Sequence, residues 1–126
     1  MKKAFNSDHA PKPVGPYSHA VEVDGLVYLS GQVPIDPKTN EVFTGDIQKQ
    51  TEMVMSNIEA VLKEADLNFS HVIKSSIFLT DMKDFAQVNE IYAKAFQAPF
   101  PARSCVQVAA LPKAVNVEIE VIARRS

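Results

Sequence analysis

The dipeptide Asp24-Gly25, set between two runs of alternating β-formers, constrains this chain more than any other feature. In 17-YSHAVEVDGLVYLSGQV-33 it suits a two-residue type I′ turn. A turn centred there sets the register: Val23 faces Leu26, Val21 faces Tyr28, and His19 faces Ser30. By the strand period of two, Tyr17, His19, Tyr28, Ser30 and Gln32 share one face. Ahead of this N-terminal hairpin, 10-APKPVGP-16 carries three prolines and a glycine and reads as an extended loop. Behind it, 34-PIDPKTNEVFTG-45 is rich in turn residues.

The period then changes. From about Asp46 to Ala65, residues Ile47, Thr51, Val54, Ile58, Val61, Leu62 and Ala65 recur on one face of a helix, with Thr44 or Asp46 able to cap its start. Segment 71-HVIKSSIFLT-80 is β-branched and aromatic, which predicts a strand. A second helix is expected over 84-DFAQVNEIYAKAFQA-98. It turns Phe85, Val88, Ile91 or Tyr92, and Ala95 inward, starts at Asp81 or Asp84 and ends at Pro99. Strands follow at about 102–108 and 115–123. Together these predict an α+β fold, two helices packed on one face of a sheet. Two helices cover only one face, so Val72, Phe78 and their neighbours on the other need a partner.

Composition narrows the function classes. A chain of 126 residues, 46% hydrophobic and 22% charged, is expected to form a single domain, 1–126, with a real core. Thirteen basic residues against fifteen acidic ones leave a net charge of -2, without a basic stripe interleaved with aromatics, which speaks against a nucleic-acid partner. A single cysteine fits a reducing, cytoplasmic setting. The opening MKKAFNSDHAPKP has no apolar stretch after its lysines and does not read as a secretory signal. No run approaches the roughly 20 apolar residues of a membrane span. His9, His19 and His71 are scattered, so no metal site is expected.

In 102–108, Arg103, Cys105 and Gln107 point one way; in 115-VNVEIEV-121, Asn116, Glu118 and Glu120 share the face opposite the valines. Two readings fit. Either both polar faces line one cleft, where Arg103 can meet a carboxylate, or both are simply wet, as half-buried strands are by default. Sequence order suggests a final hairpin with Arg103 opposite Glu118 or Glu120, but its loop of about six or seven residues exceeds the usual 2–5.

Residues 101-PARSCVQVAALPKAVNVEIEVIA-123 resemble the C-terminal signature of the Rid (YjgF) family, the RidA-type reactive intermediate deaminases. Segments 15-GPYSHAV-21, 29-LSGQVPIDPKTNEV-42 and 84-DFAQVNEIYAKAF-96 resemble the family too, so the likeness covers nearly the whole chain. It implies a chorismate-mutase-like fold in which the last strand inserts between earlier ones. It also implies a cofactor-free homotrimer with clefts between subunits, and hydrolysis of 2-imino acids or their enamine tautomers to 2-oxo acids and ammonia. The family's arginine corresponds to Arg103, its last-strand carboxylate to Glu118, and its cysteine to Cys105. Its Gly-Pro-Tyr tyrosine corresponds to Tyr17, its Ser-Gly pair to Ser30 and Gly31, and its second-helix asparagine to Asn89. The chain departs from the family at His19, Gln107 and Ala110, where Gln, Glu and Arg are frequent; these positions bear on substrate preference more than on the reaction.

The chemistry suits these residues. An arginine fork grips a carboxylate through two parallel charge-assisted bonds and fixes the plane of attack on the neighbouring C=N carbon. A protonated imine is already reactive toward water, so positioning and modest proton transfer suffice. A Glu118 close to Arg103 is expected to have a lowered pKa and to aim the water more than deprotonate it. Tyr17 can cover the cleft, and Ser30-Gly31 lets backbone approach the ligand. Cys105, with no histidine near it in sequence, reads as a small pocket wall rather than a nucleophile. The residues alone make Asn89 an ordinary helix flank; the resemblance makes it a site residue. Two rival functions stand beside the deaminase: an RNA-directed translation inhibitor or endoribonuclease, and a non-catalytic carboxylate-metabolite sensor or holdase.

Overall fold

The computed structural model describes residues 1–126. Strands β1 (Lys3–Phe5), β2 (Ala20–Val23), β3 (Leu26–Leu29), β4 (Val72–Leu79), β5 (Ala102–Gln107) and β6 (Val117–Arg124) form one mixed sheet in the order β1-β2-β3-β6-β4-β5. Helices α1 (Ile47–Glu64) and α2 (Phe85–Ala93) pack on one face. No helix is long and apolar enough to cross a membrane.

The hairpin has the expected register, with Val23 paired to Leu26 and Val21 to Tyr28. Asp24 and Gly25 take φ of 52° and 80°, the left-handed pair that a type I′ turn needs. One residue leaves the expected common face. Gln32 bridges to Ile119 and is buried with it, whereas Tyr28 stays exposed.

The last strand does insert. β6 pairs antiparallel with β3 (Tyr28 to Ile122) and with β4 (Ile77 to Ile119, Phe78 to Glu118), while β5 runs parallel to β4 at the sheet edge. There is no final hairpin. Val117, Ile119, Val121 and Ala123 alternate into the core against the α1 face of Val54, Ile58, Val61 and Leu62. Buried Gln50 on α1 fixes the start of β6: its Nε2 donates to Asn116 Oδ1 (2.9 Å), and its Oε1 accepts from the Asn116 N–H (3.1 Å). Asn116 also donates to Thr80 Oγ1, so it belongs to this clamp and not to a polar face shared with Glu118.

Three further features differ from the sequence expectation. β1 has no sequence signal of its own and exists by pairing with β2. α2 stops at Ala93 rather than near Ala98; Lys94, Ala95 and Phe96 continue on i→i−3 bonds, which tighten the last turn and keep Phe96 buried. Val72 packs in the core, because a register shift between Val72 and Lys74 turns it inward; Phe78 is half-buried on the open face as expected.

Ile119 is fully buried on the strand that joins the two halves of the sheet. Ile119→Ala should lower unfolding free energy by about 2–5 kcal/mol in urea titration; a loss below about 0.5 kcal/mol, the scale of a surface change, would contradict this core assignment.

Candidate active site

The expected site residues fall into two groups on opposite faces of the sheet. Arg103 pairs in register with Ser75, and Cys105 with Ile77; Ser75 and Ile77 are buried under the helices, so Arg103 and Cys105 point to the helix side. Glu118 pairs with Phe78 and lies between the core residues Val117 and Ile119, so it points to the open side. Within one chain the two do not meet. The only ion pair is Arg125 with Glu22, at 2.9 Å.

The first group sits where the β5 edge meets α2. Arg103 Nη1 donates to Asn89 Oδ1 at 2.6 Å. The guanidinium carbon lies 5.4 Å from the ring centre of Phe85 and 5.1 Å from that of Tyr92, both within cation–π range. Phe85, Asn89 and Tyr92 are spaced i, i+4, i+7, so one helix face presents all three. A pocket of about 400 Å³ opens here, lined by residues that include Asn89, Phe96, Phe100 and Arg103. Burial pushes the Cys105 thiol up, against a smaller downward pull from Arg103, which keeps it protonated and suits a wall rather than a nucleophile. Gln107 Oε1 accepts from the Met82 N–H at 2.9 Å and holds the loop that leads into α2.

The second group surrounds the end of β3. A Cβ at Gly31 would collide with the Glu118 carboxylate in its present position, so the glycine lets that carboxylate lie close over the backbone. The Gly31 N–H carries no hydrogen bond within the chain and remains available as a donor. Ser30 Oγ donates to the Ser18 carbonyl at 2.7 Å, tying Ser30 to the segment that carries Tyr17. Tyr17 is 51% exposed. Burial raises the Glu118 carboxyl above the usual glutamate value, and Glu120 adds to the shift. The lowering expected from Arg103 is absent within one chain, because the guanidinium lies across the sheet.

His19 is not free to touch a ligand. It is buried, its Nδ1 accepts from the Ser7 N–H (2.9 Å), and its Nε2–H donates to the Pro11 carbonyl (2.6 Å). No group of three or more His, Cys, Asp or Glu side chains is placed to hold a metal ion. Sequence reasoning missed the roles of Phe85 and Tyr92 beside Arg103. Their spacing with Asn89 was the available signal, but the same spacing describes an ordinary core face.

Comparison with known proteins decides the family. The family model described as Endoribonuclease L-PSP matches residues 7–125. The crystal structure of YyfA from Yersinia pestis, described as a protein of unknown function of the conserved Rid protein family, is similar at 46% identity. It superposes with a TM-score of 0.96, covering 98% of this chain and 99% of that one. This chain belongs to the Rid family. Two further similarities bear on the Rid site. The 2-iminobutanoate/2-iminopropanoate deaminase of Mus musculus is 43% identical over 98% of this chain and 91% of its own. The crystal structure of Escherichia coli TdcF with bound serine is 43% identical with a TM-score of 0.93, covering 98% of this chain and 99% of that one.

If Glu120 contributes to the Glu118 shift, Glu120→Gln should lower the Glu118 titration midpoint, since removing a like charge eases ionisation. Carboxyl-carbon NMR titration of both proteins reads this directly; an unchanged or higher midpoint would contradict it.

Proposed function

We propose that this Rid protein hydrolyses small 2-imino acids and their enamine tautomers, such as 2-iminobutanoate and 2-iminopropanoate, to 2-oxo acids and ammonia. The similarity to the mouse deaminase supports the reaction, and the serine bound to TdcF supports a ligand of amino-acid size. The observation that carries the reading to particular residues is the state of Arg103. One nitrogen is held by Asn89, while Nε and Nη2 carry no hydrogen bond within the chain beside an open pocket. That free edge matches a carboxylate bidentately.

The cleft is completed by a second subunit of a homotrimer. The reason is geometric: Arg103 with Asn89 and Cys105 faces one side of the sheet, and Glu118 with Gly31 faces the other. Their opposite charges, unpaired within the chain, complement each other across an interface. The open sheet face, with Tyr28 and Val106 exposed and Phe78 half-buried, supplies apolar surface for that contact.

In the complete cleft, Arg103 holds the substrate carboxylate and Asn89 holds Arg103. Water attacks the C2 carbon of the protonated imine. Glu118 accepts a proton from that water and returns it to nitrogen. As the C–N bond then breaks and the C=O bond forms, Glu118 takes the hydroxyl proton and passes it to the departing ammonia, which leaves as ammonium. Within one chain burial raises the Glu118 carboxyl, which favours proton acceptance, while Arg103 in the complete cleft acts against it. The Gly31 N–H is a donor for substrate oxygen, and Tyr17 closes the mouth. Cys105 forms part of the wall.

An RNA-directed activity is the second reading, favoured by the description of the matching family model. The balance of thirteen basic and fifteen acidic residues opposes it.

Arg103→Ala should reduce kcat/KM for 2-oxo acid release from an imine generated by an amino-acid oxidase by at least about a hundredfold, with fold and oligomer unchanged. Wild-type turnover in this variant would remove the anchor role. Glu118→Gln should lower kcat by about 10²–10⁴ with a smaller change in KM. If KM rises and kcat holds, Glu118 binds rather than transfers a proton.

A further inference from the structure

We infer that Tyr92, supported by Phe85, is a positioning residue that seats the Arg103 guanidinium and presents its Nε–Nη2 edge to the ligand. This rests on the anchor role proposed for Arg103 and adds what holds the anchor in place.

Arg103 is an exposed, long side chain, and such a chain loses rotamer freedom when it grips a ligand. Here much of that freedom is already gone. The guanidinium lies against two aromatic rings, while Asn89 Oδ1 fixes Nη1. A planar cation within cation–π range of two rings and held at one corner by a hydrogen bond keeps one edge free.

Tyr92 is itself locked. The residue is 6% exposed, and its ring packs against Phe96 with centroids 4.6 Å apart. Its hydroxyl donates to Ser75 Oγ at 2.9 Å, and Ser75 is the β4 residue paired with Arg103. The chain of contacts therefore closes on itself: strand position 103 to Ser75, Ser75 to the Tyr92 hydroxyl, the Tyr92 ring back to the guanidinium. Burial also raises the Tyr92 phenol, against smaller downward effects of Ser75 and Arg103. Its proton stays on oxygen and is committed to Ser75, which leaves the ring as the working part.

The test compares Tyr92→Leu, Tyr92→Phe and Phe85→Leu, each in the wild-type and Arg103→Ala backgrounds. Dissociation constants for 2-oxobutanoate are measured in both backgrounds, and the ¹H–¹⁵N resonance of Arg103 Nε in the proteins that retain Arg103. Tyr92→Leu should weaken 2-oxobutanoate roughly fivefold to tenfold. The same change should move the Nε–H signal downfield as the ring-current shift is lost. Tyr92→Phe, which keeps the ring, should stay within about twofold of wild type. In the Arg103→Ala background Tyr92→Leu should have no further effect, because its action runs through the missing guanidinium. Should Tyr92→Leu fail to fold, Phe85→Leu, at a half-buried position, carries the same expectation in smaller size. Equal losses in both backgrounds, or an unmoved Nε–H signal with unchanged affinity, would overturn the inference. If Arg103→Ala alone leaves 2-oxobutanoate binding intact, the anchor role fails, and the Nε–H shift still reports whether the seat exists.

Discussion

β6 forms hydrogen-bonded ladders with β3 along one edge and β4 along the other, and this double pairing decides which way every central side chain points. With Ile119 turned into the core, the strand period of two sends Glu118 to the open face. The parallel pairing of β5 on β4 then sends Arg103 to the helix face. The Gln50–Asn116–Thr80 bonds hold the register at the start of β6. A slip of one residue there would bury Glu118 and expose Ile119, a costly exchange that pins the geometry.

Each half of the proposed site is ordered within a single chain. Arg103 rests on two aromatic rings with one edge free. Glu118 lies over a glycine, with its carboxyl raised by burial and by Glu120. In the proposed two-subunit cleft, a partner's guanidinium would pull that carboxyl back down. A substrate carboxylate on Arg103 offsets the pull, which favours proton acceptance when ligand is bound.

Features fixed by local chemistry were legible in the sequence. The Asp24-Gly25 turn determines its own register, and the α1 stripe from Ile47 to Ala65 needs only helical periodicity. The Rid motifs named Arg103 and Asn89 separately, and the structure joins them by a hydrogen bond. What the sequence hid depends on distant pairing. Alternation shows that Arg103 and Glu118 each lie on a polar face, but not that the faces are opposite, because that relation passes through β4. Asn116 matches Glu118 in period yet is drawn away by Gln50. Strand β1 is three residues long and has no pattern to read. The end of α2 was obscured because its tightened last turn keeps Phe96 inward, so the apolar period outruns the regular helix.

The central claim is that Arg103 and Glu118 act in one cleft only when two subunits supply them. The most direct measurement mixes two inactive proteins, Arg103→Ala and Glu118→Ala, by co-expression, and assays the purified hybrid trimers for imine hydrolysis. Each hybrid trimer, two to one or one to two, has one interface in three with both side chains intact, so about a third of wild-type activity should return. Hybrids as inactive as their parents would contradict the account, since a cleft built from a single chain cannot be restored by mixing.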